Sequence, residues 1–367
     1  MMRQFAAFIK KEFLHVLRDA RTMLILLGMP VVQIILFGFA ISTEIRNIDL
    51  AVVIPSADVI TRKLTEKMDA SEYFTVRCVL QDSKDIERYF RDGTVSMAIA
   101  FSPDFADKVF SPEGSAIQLI TDGSNTNTAR TAAGYASAII LDGLTEDMPV
   151  STGGIRPNIR MLFNPQMRSS YTFVPGVMGL IIILICAMMT SISIVREKET
   201  GTMDLMLVSP MRPSVIILSK MVPYMVLSTV NYLTILLLSV TLLDVPMSGN
   251  FWSLSLLSLI YIIVSLALGL LISTKARTQL AAMLGSGMLL LIPVVFLSGL
   301  MFPVESMPGF FRAVSAIVPA RWYIEGVKKL MIEGLPIWLV TKEFIILSAM
   351  AVLLLAVSIR NFKLRQK

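Results

Sequence analysis

Histidine and cysteine are almost missing from this chain. Its 367 residues include one histidine, His15, and two cysteines, Cys78 and Cys186. A lone imidazole with no second His or Cys beside it reads as an interfacial residue, and two thiols cannot complete a zinc site. Cys78 falls in a polar region and Cys186 in the middle of an apolar run, so the two belong at different depths and no internal disulfide is expected. Charge is scarce as well: 16% of residues are charged and 54% hydrophobic, with a mean hydropathy of +0.70. That balance excludes an ordinary soluble protein. The formal net charge is +6, but the basic residues flank apolar runs and form no separate basic domain. They read as topology signals, and no nucleic-acid partner is expected.

Two further absences concern energy. No G-x-x-x-x-G-K-[ST] phosphate loop occurs, so nothing here can cradle ATP, and no cofactor is expected on this chain. Six apolar runs satisfy the requirement for crossing about 30 Å of hydrocarbon: residues 23–41, 173–195, 221–243, 251–273, 280–300 and, more weakly, 344–359. The last has only 16 uncharged residues, so Lys342 or Arg360 must snorkel or the bilayer must thin. Runs two to five contain no Asp, Glu, Lys, Arg or His. A proton-coupled carrier takes up its proton on such a group, so proton coupling is disfavoured, while sodium coupling through carbonyls stays open.

What is present gives an orientation. Residues 1–22 form a basic amphipathic helix with Phe5, Ile9, Phe13, Val16 and Ala20 on one side and Arg3, Lys10, Lys11, Arg18 and Arg21 opposite. Such a helix lies in the headgroup layer, its cations toward anionic lipid. A cleaved signal peptide is the competing reading, with Gly38 and Ala40 as a small-x-small site. The 19-residue run exceeds the usual signal core of about 7–15 residues, which favours an uncleaved first span kinked at Pro30. Lys275 and Arg277 lie between spans four and five, whereas 244–250 has no Lys or Arg. The positive-inside rule then puts both termini and the polar island 196–213 in the cytoplasm.

Residues 42–170 consequently lie outside and read as an inserted α/β domain. Strands are expected at 48–54, 73–80 and 95–101, helices at 57–71 and 83–91, a further strand at 116–121, a helix at 127–144, and a linker at 145–157. Segment 301–338, broken by Pro303, Pro308, Pro319 and Pro336, is expected as short helices in a re-entrant hairpin, with a loosely packed interfacial loop as the alternative. The fold class is thus a polytopic α-helical membrane protein of six spans, with an N-terminal interfacial helix and an extracytoplasmic α/β insertion between spans one and two.

The island 196–213 carries the best candidate site. Thr202 is placed to cap a short helix over 203–208, with Asp204 in its first turn and Ser209-Pro210 as its stop. Met203, Met206 and Leu207 would share one face, an apolar knob flanked by Arg196, Glu197, Lys198 and Glu199 and suited to a cleft on a partner. A plain solvated turn is the alternative. Ser228, Asn231 and Thr234 within span three are candidates for substrate contact or for fastening helices together. Met283 and Met288, with Met188, Met189 and Met301, line an adaptable pathway or simply pack. Gly285, Ser286 and Gly287 allow a close helix approach or ordinary packing.

Arg196, Glu197, Lys198, Glu199, Gly201, Thr202, Leu205, Ser209 and Pro210 resemble the signature of ABC-2 type transport permeases. Asn164-Pro165 with Phe173-Val174-Pro175-Gly176, and the stretch LSGLMFPVESMP from Leu297 to Pro308, resemble two further motifs of that family. Ser219 replaces a common Gly before Lys220, and Asp204 a common Glu. The resemblance covers essentially the whole chain, and the large insertion is similar to the drug-exporter-like branch. It implies a half-transporter in an inner membrane: two permease subunits, identical or sister chains, and two ATPase subunits carrying ATP and Mg. ATPase closure would push on 196–213, rotate spans two and three, and open a path for hydrophobic or amphiphilic compounds. A periplasmic adaptor is a further implied partner. A mechanotransmitter acting on an external partner, or an exporter of saccharide or lipid-linked cargo, are the alternatives.

Overall fold

The computed structural model describes residues 2–18, 20–40, 47–56, 58–109, 111, 115–122, 126–147, 170–202 and 213–364. Most of the expected linker 145–157, the Asn164-Pro165 motif and the helix over 203–208 lie outside them. Two compact units result: Met1–Ile41 with Arg168–Lys367, and Ser42–Met167.

The first unit opens with α1 (Met2–Arg18) and α2 (Ala20–Ala40). The second unit then follows as β1 (Ile48–Val53), α3 (Val59–Asp69), β2 (Phe74–Leu80), α4 (Ile86–Arg91), β3 (Met97–Phe101), α5 (Phe105–Lys108), β4 (Ile117–Thr121) and α6 (Thr126–Asp147). The sheet order is β2-β1-β3-β4, with β1 parallel to both neighbours and β4 antiparallel to β3. Two parallel crossovers force β1 and β3 into the middle, where both faces are covered. Leu50, Val52 and Ile99 accordingly meet Leu64, Met68 and Tyr135 on one face, while Ala51, Val53 and Ala98 meet Ile86 and Val95 on the other. The α3 start is fixed by Asp58, whose carboxylate accepts the Thr61 N–H at 2.7 Å. One register shift lets Arg77 bulge from the edge strand β2, and its guanidinium reaches Asp49 at 2.5 Å.

The first unit resumes with α7 (Ser170–Glu199), α8 (Pro213–Thr241), α9 (Phe251–Lys275) and α10 (Gln279–Leu297). Short α11 (Gly309–Ser315) and α12 (Pro319–Val327) precede the last helix, α13 (Thr341–Leu364). Among the described residues five helices are long and apolar enough to cross a membrane: α7, α8 from Leu218, α9, α10 and α13 to Asn361. In α2 the described apolar part is the shorter Leu26–Phe37.

Helix α7 is the axis of this unit. Its apolar middle, from Val174 to Ile183, is buried, and α9 crosses it so closely that a Cβ on Gly269 would stand 2.4 Å from the Ala187 carbonyl oxygen. Two expectations shift in detail. The fifth span ends at Leu297 instead of residue 300, because Ser298 caps it and Gly299 turns the chain at φ +87°. The last span begins at Thr341, earlier than expected, and the Lys342 ammonium lies 5.0 Å over the Trp322 ring.

Segment 301–338 folds as short helices and turns, and α12 buries Ala320, Trp322, Tyr323, Ile324 and Val327. Tyr323 stacks on Tyr261 at 4.1 Å, and the Tyr261 hydroxyl donates to the Gly179 carbonyl at 2.9 Å. A loosely packed loop does not describe it.

Candidate coupling site

The end of α7 carries the charged half of the signature. Gly201, at φ +70°, stops the helix in the left-handed conformation that glycine adopts without steric cost, and Thr200 turns its hydroxyl onto the Arg196 carbonyl at 2.9 Å. Arg196 and Lys198 in the last turn suit the negative end of the helix dipole. The next three side chains then leave in three directions. Glu197 pairs with Lys220 at the start of the apolar part of α8, and Lys220 also lies 3.4 Å from Glu12 of α1. Lys198 donates to the Ser273 carbonyl near the end of α9. Glu199 accepts from the Gln279 backbone N–H at 3.0 Å and from its amide at 2.5 Å, at the start of α10.

The trio Glu12, Lys220 and Glu197 is buried: the side chains of Glu12 and Lys220 are each 4% exposed, and that of Glu197 is 14% exposed. Charges withdrawn from water to this degree need partners, and Lys220 supplies one to both carboxylates, while Lys11 meets Glu12 from the half-exposed side at 3.2 Å. The motif therefore fastens α7 to α1, α8, α9 and α10 together. The sequence suggested charges flanking a knob, free for a partner; in the structure only Arg196 and Glu199 of the four are exposed. The Thr202 hydroxyl faces Thr200 at 3.0 Å and the Glu197 carbonyl at 3.4 Å. Met203, Asp204, Leu205, Met206, Leu207, Ser209 and Pro210 lie outside the described residues.

Glu12, Ser273 and Gln279 were missed by sequence reasoning, and Lys220 entered it only as a motif neighbour. Glu12 did leave a signal. It falls three residues after Ile9 and four before Val16, an acid on the apolar side of α1, where only a buried counter-charge makes sense.

The pathway candidates separate. Ser228 accepts from the Cys186 thiol at 3.1 Å, and Asn231 donates to the Leu26 carbonyl at 2.9 Å. Leu26 is four residues before Pro30, so its carbonyl is the one that the proline leaves without a helical donor. Asn231 thereby fastens α8 to α2 at the kink. Both side chains line a crevice with Ile181, Ile182 and Ile235 that is too narrow for a water molecule. Thr234 returns its hydroxyl to its own helix at Val230, 3.0 Å away. Met283 and Met288 stand apart on α10, 38% and 67% exposed on a face that the described residues leave open. A Cβ on Gly287 would meet nothing within 4 Å and one on Gly285 only Ile272 at 3.9 Å, while Ser286 between them is buried; the tighter backbone contact is the one at Gly269.

Five span-length helices, packed about α7 and bound at one end by a buried ionic clasp, define a multi-pass membrane protein. The family model of ABC-2 family transporter proteins matches residues 20–360, and the chain belongs to that family. It is 29% identical over 354 residues to the probable multidrug ABC transporter permease YbhS of Escherichia coli strain K12, covering 95% of this chain and 94% of that protein. It is 28% identical over 338 residues to the probable multidrug ABC transporter permease YbhR of the same strain, 91% of each chain. Likeness to the inner membrane transport permease YhhJ of that strain is 25% over 280 residues, 74% of each. The chain is thus a permease component of an ABC transporter.

Proposed function

We propose that this chain forms the translocation pathway of an ATP-driven exporter of hydrophobic or amphiphilic compounds, with ATP and Mg bound by a separate ATPase subunit. The observation that carries this reading is the clasp. A push on residues 203–212 acts on a helix end already tied by Glu197, Lys198 and Glu199 to four other helices, so the bundle moves as one body. The missing phosphate loop and the likeness to ABC transporter permeases support a force supplied from outside the chain.

In this reading the membrane is the inner membrane, both termini are cytoplasmic, α2 is the first of six spans, and Ser42–Met167 is extracytoplasmic and available to a periplasmic adaptor. Segment 301–338 is then re-entrant from the outside. The knob at 203–208 enters the ATPase. A second permease subunit, identical or a sister, covers the open face of α10, and Met283 and Met288 face the pathway between subunits. Purification with candidate ATPase subunits tests the core of this. Association with membrane-stimulated ATP turnover is expected; intact chains that neither bind nor stimulate would sink it. The separately folded unit Ser42–Met167 favours a second reading, a mechanotransmitter that moves no substrate. Energy-dependent efflux from reconstituted vesicles would exclude that one.

A further inference from the structure

A second ionic clasp sits toward the N-terminal ends of α7 and α9, away from the coupling motif. Lys329 Nζ lies 2.8 Å from Glu325 Oε1 and 2.7 Å from Glu343 Oε1. Glu343, at the start of α13, is fully buried, and its Oε2 has no hydrogen-bond partner. Lys329 itself is in a π turn, Lys328–Ile332, that continues α12 without a break. The turn closes with Glu333 N–H on the Lys328 carbonyl at 3.1 Å, five residues back, and Leu335 N–H on the Lys329 carbonyl at 2.9 Å.

A π turn is rare, carries one residue more than an α turn, and tends to mark functional sites. Two contacts hold this one. One is the clasp. The other is the loop before α9, where Ser248 N–H donates to the Met331 carbonyl at 2.9 Å and a Cβ on Gly249 would stand 1.9 Å from the Leu330 oxygen. Leu330, Met331 and Ile332 are buried and Gly326 faces Leu257, while Lys328 at the start of the turn has Glu305, Glu333 and Glu325 around it and Lys342 acts on Glu325. Apolar packing sets no register by itself, whereas an ion pair with a fixed carboxylate does.

We propose that Lys328–Ile332 is a two-register switch. Clasped by Glu325 and Glu343, Lys329 holds the segment in the π form. When Glu343 is released, the turn tightens to α-helical register, carrying the residues that follow it, from Glu333 on, about 100° around the helix axis relative to α12. Gly334, at φ +65°, and the short turn Ile337–Leu339 take up the displaced residue. Because α12 packs on α7, α9 and α13, the change repositions their shared surface; that this surface belongs to a pathway rests on the permease reading above.

The test uses the full-length chain in detergent micelles, with Cys78→Ser and Cys186→Ser and a single reporter, Met331→Cys, at a position that is 0% exposed. Its labelling by a water-soluble maleimide reads local opening. Lys329→Met should raise the labelling rate roughly tenfold or more, and the exchange Lys329→Glu with Glu343→Lys should bring it back to within about threefold of the parent. A control reporter, Val264→Cys in α9, should stay unlabelled throughout. Unchanged labelling in Lys329→Met, an exchange as reactive as the single variant, or equal labelling at residue 264 overturns the switch. Where Lys329→Met gives no folded protein, Glu325→Gln, which keeps the Glu343 pair, should give a smaller rise, and no rise overturns it. The readout needs neither ATP nor a partner, so its failure is separate from failure of the permease reading.

Discussion

Glu12 and Asn231 show how single polar residues decide this bundle. Glu12 sits where an apolar side chain belongs, and its burial is tolerated because Lys220 meets it from α8. Lys220→Met takes the ion-pair partner from buried Glu197 and leaves Glu12 with only the half-exposed Lys11, 3.2 Å away, and should lower stability by about 3 kcal/mol, read as a fall in melting temperature of the purified chain. Asn231→Leu strips the donor from the Leu26 carbonyl at the Pro30 kink, and the expected loss is smaller, about 0.5–1.5 kcal/mol in the same assay.

The second clasp makes a pH prediction. Burial opposes the charge on Glu325, but the hydrogen bond and charge of Lys329, a hydrogen bond with Glu343 and the charge of Lys342 together outweigh it and hold the carboxyl below its ordinary range. Burial likewise opposes the charge on Lys329, and Glu325 and Glu343 outweigh it, holding the ammonium above its ordinary value. A lowered carboxylate contributes stability above its unfolded pKa and loses it as pH falls through the folded value. A raised lysine contributes below its unfolded pKa and loses it as pH rises through the folded value. The clasp is therefore constant through the neutral range and lost at both extremes. The gap in melting temperature between the natural chain and Lys329→Met should be constant through the neutral range and shrink at both extremes of pH; parallel curves would contradict this.

At the scale of elements, the sequence placed helices and strands well wherever periodicity was strong. Short apolar runs located β1 and β3, and the long uninterrupted ones located α7 to α10. Sheet order was not legible, since β-α-β-α-β alternation is compatible with several orders and only the crossovers put β1 between β2 and β3. The start of α13 was misjudged for a plain reason. Glu343 looks like a boundary when its partner, Lys329, is hidden in another element. Glycines misled in the same way, because nothing in the sequence shows which one faces a neighbour. Gly269→Val should destabilise by about 1–3 kcal/mol, as its Cβ has no room beside Ala187, while Gly287→Val, on an open face, should be close to neutral in the monomeric chain. Folded yield and melting temperature of the two variants check the contrast.

For the whole molecule, composition gave the membrane class and the signature gave the family, but the arrangement that makes the signature useful was legible in neither. Two of its four charges, Glu197 and Lys198, are turned inward, and Glu199 ties the start of α10 at the surface. Glu197, Lys198 and Glu199 bind the ends of neighbouring helices, which suits a segment that receives force and distributes it. The most direct measurement is the amount of compound exported per ATP hydrolysed in vesicles containing the chain and its ATPase, comparing the natural chain with Glu197→Gln. ATP turnover should persist in the variant while export per ATP falls about tenfold or more, the equivalent of losing some 1.4 kcal/mol of coupling. Export per ATP equal to that of the natural chain would contradict a coupling role for the clasp.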